Sequence, residues 1–400
     1  MTTARTLWNT VDTLMQQGVG DVFPAAVLWV QHQGRPLFRR AYGWLDPAAR
    51  RWPAREDILF DLASLTKLFT ATAFLTLVAA GKVTLDTPVV QALPELRGRH
   101  PLLPDLDPHA KVPLPPNPRY QGVDIDAGAV TFRHLLSHTA GLASWVALCE
   151  PASAAGPVPL PHRLPPEVRQ RRLAALLRAP RFVYPPGAGL TYSDVGFILL
   201  GEAVARLAGM PLPAYLAQAV LEPLGLRRTT YNPLAQGVPQ RGIAPTEQCP
   251  WRGRRLWGEV HDENAACLGG VAGHAGLFAP AEDVVRLGQW ALASADDLLP
   301  AGLKQEMVRE QAWEGAERRG LGWKLQTPAQ SPVGPAWSSA SFGHTGFTGT
   351  SLWVDPQRDL VVVLLTNRVY FGREGAGIAR LRVQVHQAIA DAVDAGFREA

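Results

Sequence analysis

Cysteine is scarce. The 400-residue chain has three, Cys149, Cys249 and Cys267, far apart and with no CxxC pair of the kind that holds zinc or a redox couple. An odd count closes no complete disulfide framework, so reduced thiols in the cytoplasm are the expectation. Long apolar runs are also missing. No stretch approaches the ~18 to 20 uninterrupted apolar residues of a membrane span, and the opening MTTARTLWNTVDTLMQQGVG lacks the basic start and apolar core of a secretory signal. Charge is sparse, 18% of residues, with a net value of only +4. The basic residues are dispersed apart from short clusters at 169–172 and 252–255, which argues against nucleic acid, whose binders gather charge on one face. What is plentiful is hydrophobic residues, at 47%, the composition of a packed globular enzyme rather than a disordered or fibrous chain.

Periodicity gives a coarse map. Leu7 to Gln17 has the pattern of an amphipathic helix, and AAVLWVQHQGRPLFRRAYGW reads as two strands around a Gln-Gly turn. Residues 64–80, 167–178, 195–208 and 281–294 have helical period. The proline-rich stretches 101–118 and 151–166 are too irregular for either and read as surface insertions. HTGFTGTSLWVDPQRDLVVVLLTNR alternates, breaks at Asp355-Pro356 and resumes as a buried apolar strand, a hairpin; a helix from Gly377 to Val393 follows. Strands at both ends with helices between predict an α/β (α+β) chain. Residues 1–60 and 300–400 form a sheet domain in this reading, and 61–299 an inserted, mostly helical one.

The apolar helix near residue 64 begins with a serine and a lysine three residues apart, in FDLASLTKLFTATAFLTLVAAGKVTLDTPV. Residues with that spacing share a helix face, so the Ser64 hydroxyl and Lys67 amine can meet. A serine hydroxyl needs a base within reach to become a nucleophile, and burial among Leu65, Leu68 and Phe69 is expected to lower the lysine pKa and free its lone pair. The unpaired N–H groups at the helix start can stabilise an oxyanion. The bland alternative is an N-cap serine and a surface lysine. Two further segments favour the chemical reading. PPGAGLTYSDVGFILLG puts Tyr192 and Asp194 on a turn before a helix, where a tyrosine can serve as a proton shuttle. SFGHTGFTG puts His344, Thr345 and Gly346 on a strand, with a glycine that permits close backbone approach to a ligand.

With these motifs the chain resembles the serine β-lactamase and penicillin-binding-protein superfamily, in its branch of class C β-lactamases, D-alanyl-D-alanine carboxypeptidases and related esterases. The segments VTFRHLLSHTAGL, GHAGLFAPAEDVVRLGQW and FGHTGFTGTSLWVDP extend the resemblance in family order from about 58 to 368. It implies an antiparallel sheet flanked by helices plus a mostly helical domain. It also implies Ser64 as the acylated nucleophile, Lys67 and Tyr192 as a proton-transfer network, and the N–H groups of Ser64 and Phe347 as the oxyanion hole. Asp194, His344, Thr345 and Gly346 take the substrate, and no metal or other cofactor is required. Two positions depart from the pattern: Asp194 stands where many relatives have asparagine, and His344 where they have lysine. An aspartate can only accept hydrogen bonds, which weakens the case for efficient β-lactamase action. If Asp194 faces His344 across the cleft, its charge would raise the histidine pKa and partly restore the missing cation.

Other polar clusters read as scaffold. His134 and His138 have the i,i+4 spacing of a zinc pair but no third ligand of the HExxH kind. In VHDENAACLGGVAGHAG, His261, Asp262, Glu263 and His274 gather among glycines; a loop-stabilising network is favoured over substrate recognition, and both over a metal site. The reading is a cytoplasmic serine hydrolase that cleaves an amide or ester of a small-molecule or peptide substrate, with cell-wall-related D-amino-acid or muropeptide material first. A small-ester esterase or weak β-lactamase is the alternative, and a non-catalytic binding or regulatory protein on this fold is the alternative of another class. No nucleic-acid or membrane partner is expected.

Overall fold

A computed structural model describes residues 4–107, 111–149, 158–294, 297–327, 330–375 and 377–399; part of the expected insertion at 151–166 falls outside them. The strand Leu360–Thr366, LVVVLLT, is buried along its whole length, as a continuous apolar run requires when both sheet faces are covered. It pairs antiparallel with Ala25–His32, from Ala26 opposite Thr366 to His32 opposite Leu360. These two are interior strands of a nine-stranded sheet. From one edge its order is Ala312–Glu314, Glu317–Arg319, Lys324–Leu325, Phe342–Thr345, Ser351–Asp355, Leu360–Thr366, Ala25–His32, Arg35–Asp46 and Arg51–Pro53. Neighbouring strands run antiparallel, and both ends of the chain contribute, as expected. The Gln33-Gly34 turn has positive φ at both residues, 49° and 70°, the geometry of a two-residue hairpin loop whose twist matches its strands.

Period-two alternation divides the sheet into two faces. Ala26, Leu28, Val362 and Leu364 pack with Val11, Val385 and Ile389, so one face is covered by the terminal helices Ala4–Gly18 and Gly377–Glu399. Val27, Val361, Val363 and Leu365 join a larger core that includes Leu68, Phe74, Val284 and Leu287. That core carries the helices Thr66–Ala79, Asp194–Ala208 and Ala281–Leu292. The first of these is apolar on every side and has eleven buried residues, which places it inside the molecule. A small second sheet joins Phe60–Asp61, Leu277–Ala279 and Thr230–Tyr231, and so sets the loop around 260–276 beside the start of the Ser64 turn.

The expectation of reduced thiols is overturned. Cys149 and Cys267, 118 residues apart, form a disulfide, and Cys249 is free and buried. Asn264 explains the approach: its side chain accepts from Leu148 N at 3.1 Å and donates to Val146 O at 2.8 Å, which lays the segment before Cys149 against the short helix Glu263–Cys267. A pairing made by tertiary docking leaves no trace in sequence spacing. The bridge also withdraws the cysteine argument for a reducing compartment. Alkylation of the denatured protein without reductant should label Cys249 alone, and all three cysteines after reduction; peptide mass mapping that finds three labels without reductant would exclude the bridge.

Candidate active site

Ser64 lies on a single 3-10 turn, Ala63–Leu65, that leads into Thr66–Ala79. Ala63 has φ of +46°, a left-handed conformation that costs a non-glycine residue about 1–3 kcal/mol and persists only when its surroundings impose it. Asp61 imposes it. Its fully buried carboxylate accepts from Ala63 N at 2.9 Å and from His261 N at 2.6 Å. Thr348 Oγ1 donates to Asp61 O at 2.8 Å and Thr350 Oγ1 to Leu62 O at 3.1 Å, which fastens the loop after Phe342–Thr345 onto the same turn. Gly346 is the point of contact. A Cβ there would stand 2.1 Å from Thr350 Oγ1 and 2.6 Å from Leu62 O, so only glycine lets this loop, with Phe347 next in sequence, approach the serine.

Lys67 is fully buried. Its Nζ donates to Ser64 Oγ at 3.1 Å, to Asp194 Oδ1 at 2.7 Å and to the His274 carbonyl at 3.2 Å. Burial alone would lower its pKa, but the Asp194 carboxylate, with Tyr192 beside it, outweighs that and the net direction is upward. The expected free amine is therefore an ammonium, because the buried charge has a partner that the spacing of Ser64 and Lys67 does not reveal. Asp194 opens the helix Asp194–Ala208, whose N-cap Ser193 accepts from Gly196 N at 3.0 Å.

The Tyr192 hydroxyl is enclosed, and its ring lies 4.8 Å from Lys67 Nζ and 4.9 Å from the Arg319 guanidinium. His344 is 5.8 Å from the same ring. Asp194 is committed to Lys67, and the charged group that meets His344 is Arg319, with Nη1 3.3 Å from His344 Nε2. Burial, followed by the charges of Arg319 and Lys67, holds the His344 pKa well below the usual histidine range. The expectation that Asp194 would recharge His344 is thus reversed. His344 is neutral, with Nδ1 donating to Thr345 O at 2.8 Å, and the cation in this corner is Arg319, itself paired with Glu317 at 2.6 Å. Nothing in the AERRGLGW stretch marks Arg319 as a site residue.

His134 and His138 have separate tasks. The first accepts from Thr131 N at 3.2 Å in a capping box. His138 accepts from Ser193 N at 3.1 Å and packs its ring 4.7 Å from Tyr192. Burial, with Arg319 and Lys67 nearby, keeps it neutral. In the 260–276 loop, Asp262 caps Glu263–Cys267 through Ala265 N at 2.7 Å and meets His274 Nε2 at 2.8 Å. Glu263 pairs with Lys111 at 2.9 Å and Arg373 at 2.8 Å, and His261 Nε2 lies 3.2 Å from Glu247. Donor atoms of Asp194, Asp262 and His274 lie within 4.8 Å of one another, a set able to hold a cation. The Lys67 ammonium already bonds to Asp194 and, after His274 and the Ala265 N–H, which together outweigh burial, adds to the lowering of the Asp262 pKa, so a metal ion would have to displace it.

The Beta-lactamase family matches residues 11–387. The chain is 31% identical over 389 residues to N-acetylmuramyl-L-alanine amidase of Bacillus subtilis (strain 168), covering 90% of this chain and 80% of the relative. It is 33% identical over 390 residues to Esterase EstB of Burkholderia gladioli, covering 90% of each. Its fold matches that of EstCE1, described as a hydrolase with promiscuous acyltransferase activity, with a TM-score of 0.70 at 22% identity over 97% of this chain and 99% of that one. Among the described residues no single helix is long and apolar enough to cross a membrane. Because the family match runs nearly end to end and relatives that align over most of their length are named amidase and esterase, the chain belongs to the Beta-lactamase family and is a serine hydrolase.

Proposed function

We propose that the enzyme cleaves an amide in cell-wall-derived material through an acyl-enzyme on Ser64. The observation that carries the chemistry is the 3.1 Å bond between Lys67 Nζ and Ser64 Oγ inside a closed polar cage; the similarity to an N-acetylmuramyl-L-alanine amidase supports the substrate class. As Ser64 Oγ attacks the carbonyl carbon, its proton passes to the Lys67–Tyr192 pair. Lys67 is already charged, so the pair can accept this proton only after giving up one of its own, and Tyr192, with its ring 4.8 Å from Lys67 Nζ, is the partner through which it passes. The N–H groups of Ser64 and Phe347 receive the oxyanion. The proton then goes to the leaving amine, and water, activated by the same pair, cleaves the acyl ester and restores Ser64. Asp194 fixes Lys67, while His344, Thr345 and Gly346 line the substrate side, where neutral His344, with both ring nitrogens engaged, holds the Arg319 guanidinium in place. We retain 1–60 with 300–400, and 61–299, as the domain division; the nine strands of the main sheet, all within 25–53 and 312–366, support it.

Treatment with a fluorophosphonate should add one adduct by intact mass, absent in Ser64→Ala, and a muramyl-peptide amide should be hydrolysed with higher kcat/KM than p-nitrophenyl butyrate. Adduct formation with turnover of the ester alone would leave the small-ester reading in place of this one; a folded wild type without adduct would remove Ser64 as nucleophile.

The pair must lose one proton to act, and the Asp194 carboxylate makes that loss harder. In Asp194→Asn the desolvation of Lys67 is no longer offset, so the proton leaves at lower pH. The acid limb of the kcat/KM profile for p-nitrophenyl butyrate should move down by about 1 to 3 pH units, the range for loss of an adjacent opposite charge. A limb that stays in place or moves up would detach the ion pair from control of the base.

A further inference from the structure

The arginine cluster singled out in the sequence has no part in the chemistry above. It borders a cavity of about 650 Å³ between residues 101–106, the segment 146–148 and the end of the helix Pro166–Arg178. Leu106, Val146, Leu148 and Leu176 contribute its apolar walls, and Arg171, Arg172, Arg178 and Arg181 its charge; among the described residues no carboxylate lines it. Among the described residues none of the four arginines forms an ion pair within 4 Å, although Arg178 is near enough to Glu95 to join Arg206 in lowering its pKa. Glu202 takes Arg169 and Arg206, and Glu95 takes Arg206 at 2.7 Å. Two of the guanidiniums are held in place without being neutralised: Arg172 Nη1 donates to Cys267 O at 2.6 Å, and Arg181 Nη1 to Pro104 O at 2.6 Å. Burial, and then the charge of Arg171, lowers the Arg172 pKa, the mark of positive charge without compensation.

The segment that lines the cavity is bonded to the start of the helix that carries Asp194. Ser144 O accepts from Asp194 N at 2.9 Å, and the chain runs from there through Trp145 into the wall at 146–148. A second hollow of about 320 Å³ shares Leu106 and Ala147 with the first and is lined by Trp145, Glu263 and Asn264, next to Asp262. Forked guanidiniums over an apolar floor suit planar carboxylates carried on a partly apolar chain. We propose that this cavity is an anion subsite that binds free carboxylates on the part of the substrate remote from the scissile bond. The ligand class rests on the cell-wall reading above, whose peptides carry such groups.

The test separates binding from turnover. Full-length Ser64→Ala is titrated calorimetrically with L-Ala-γ-D-Glu-diaminopimelate and with the same peptide fully amidated, with and without Arg171→Ala and Arg178→Ala, two exposed positions whose truncation leaves the core intact. The acid form should bind about tenfold tighter than the amide, a preference the double substitution removes. In the otherwise wild-type enzyme the same pair should raise KM for the anionic muramyl-peptide with kcat retained and leave p-nitrophenyl butyrate hydrolysis unchanged. Equal binding of the two peptides, a preference that survives the double substitution, or an equal loss on the neutral ester overturns the subsite. Arginine-dependent binding without muramyl-peptide hydrolysis supports the subsite and removes only the cell-wall reading.

Discussion

A lysine ammonium with no contact with water has to be matched by an anion, and in this protein Asp194 supplies it from 127 residues further along the chain. Removing one partner of such a pair leaves an uncompensated buried charge, typically about 3–5 kcal/mol of destabilisation. Much else is arranged around that requirement. The helix Thr66–Ala79 can be apolar on all sides and still carry a charge because Asp194–Ala208 packs against it with a carboxylate at its N-terminal end. The His274 carbonyl and Ser64 hydroxyl take the remaining ammonium protons, so no donor is wasted in the interior.

The same neighbourhood is stiff. Asp61 connects the serine turn to the 260–276 loop, the threonines at 348 and 350 connect it to the sheet, and His138 connects Ser193, and through its ring Tyr192, to the segment after Phe132–Leu136. Each tie comes from a different part of the chain, so the strained Ala63 backbone is over-determined rather than held by one bond. Preorganisation of this kind places donors and charges before the substrate arrives, which is where electrostatic stabilisation derives its effect.

Local signals survived the passage from sequence to structure. The alternation around Asp355-Pro356, the Gln33-Gly34 turn and the period of 281–294 all report forces between near neighbours, and the helices and hairpins lie where those forces put them. The approach of Ser64 to Lys67 is of the same kind, a matter of one helical turn. Three features were hidden because they depend on partners remote in sequence: the direction of the Lys67 pKa, the Arg319 guanidinium that meets His344 from a neighbouring strand, and the Cys149–Cys267 bridge. In each case the residue type was visible and its companion was not. His344 was misjudged for the same reason, since the burial and the neighbouring cations that keep its imidazole neutral leave no mark in the sequence.

The pairing of Ala25–His32 with Leu360–Thr366 has a consequence for synthesis. Ala25 N bonds to the side chain of Asn367, 342 residues later, so this strand leaves the ribosome long before the neighbour it pairs with. At about 5–20 residues per second the interval is on the order of tens of seconds. Throughout it, Val27, Leu28 and Val30 form an apolar edge with one neighbouring hairpin strand and an open side. The region between can collapse on its own core during that time, but the main sheet closes only once Leu360–Thr366 has been made. A nascent chain stalled before residue 360 therefore presents a ready template for strand addition, and the burden of keeping that edge unpaired falls on chaperones rather than on the fold.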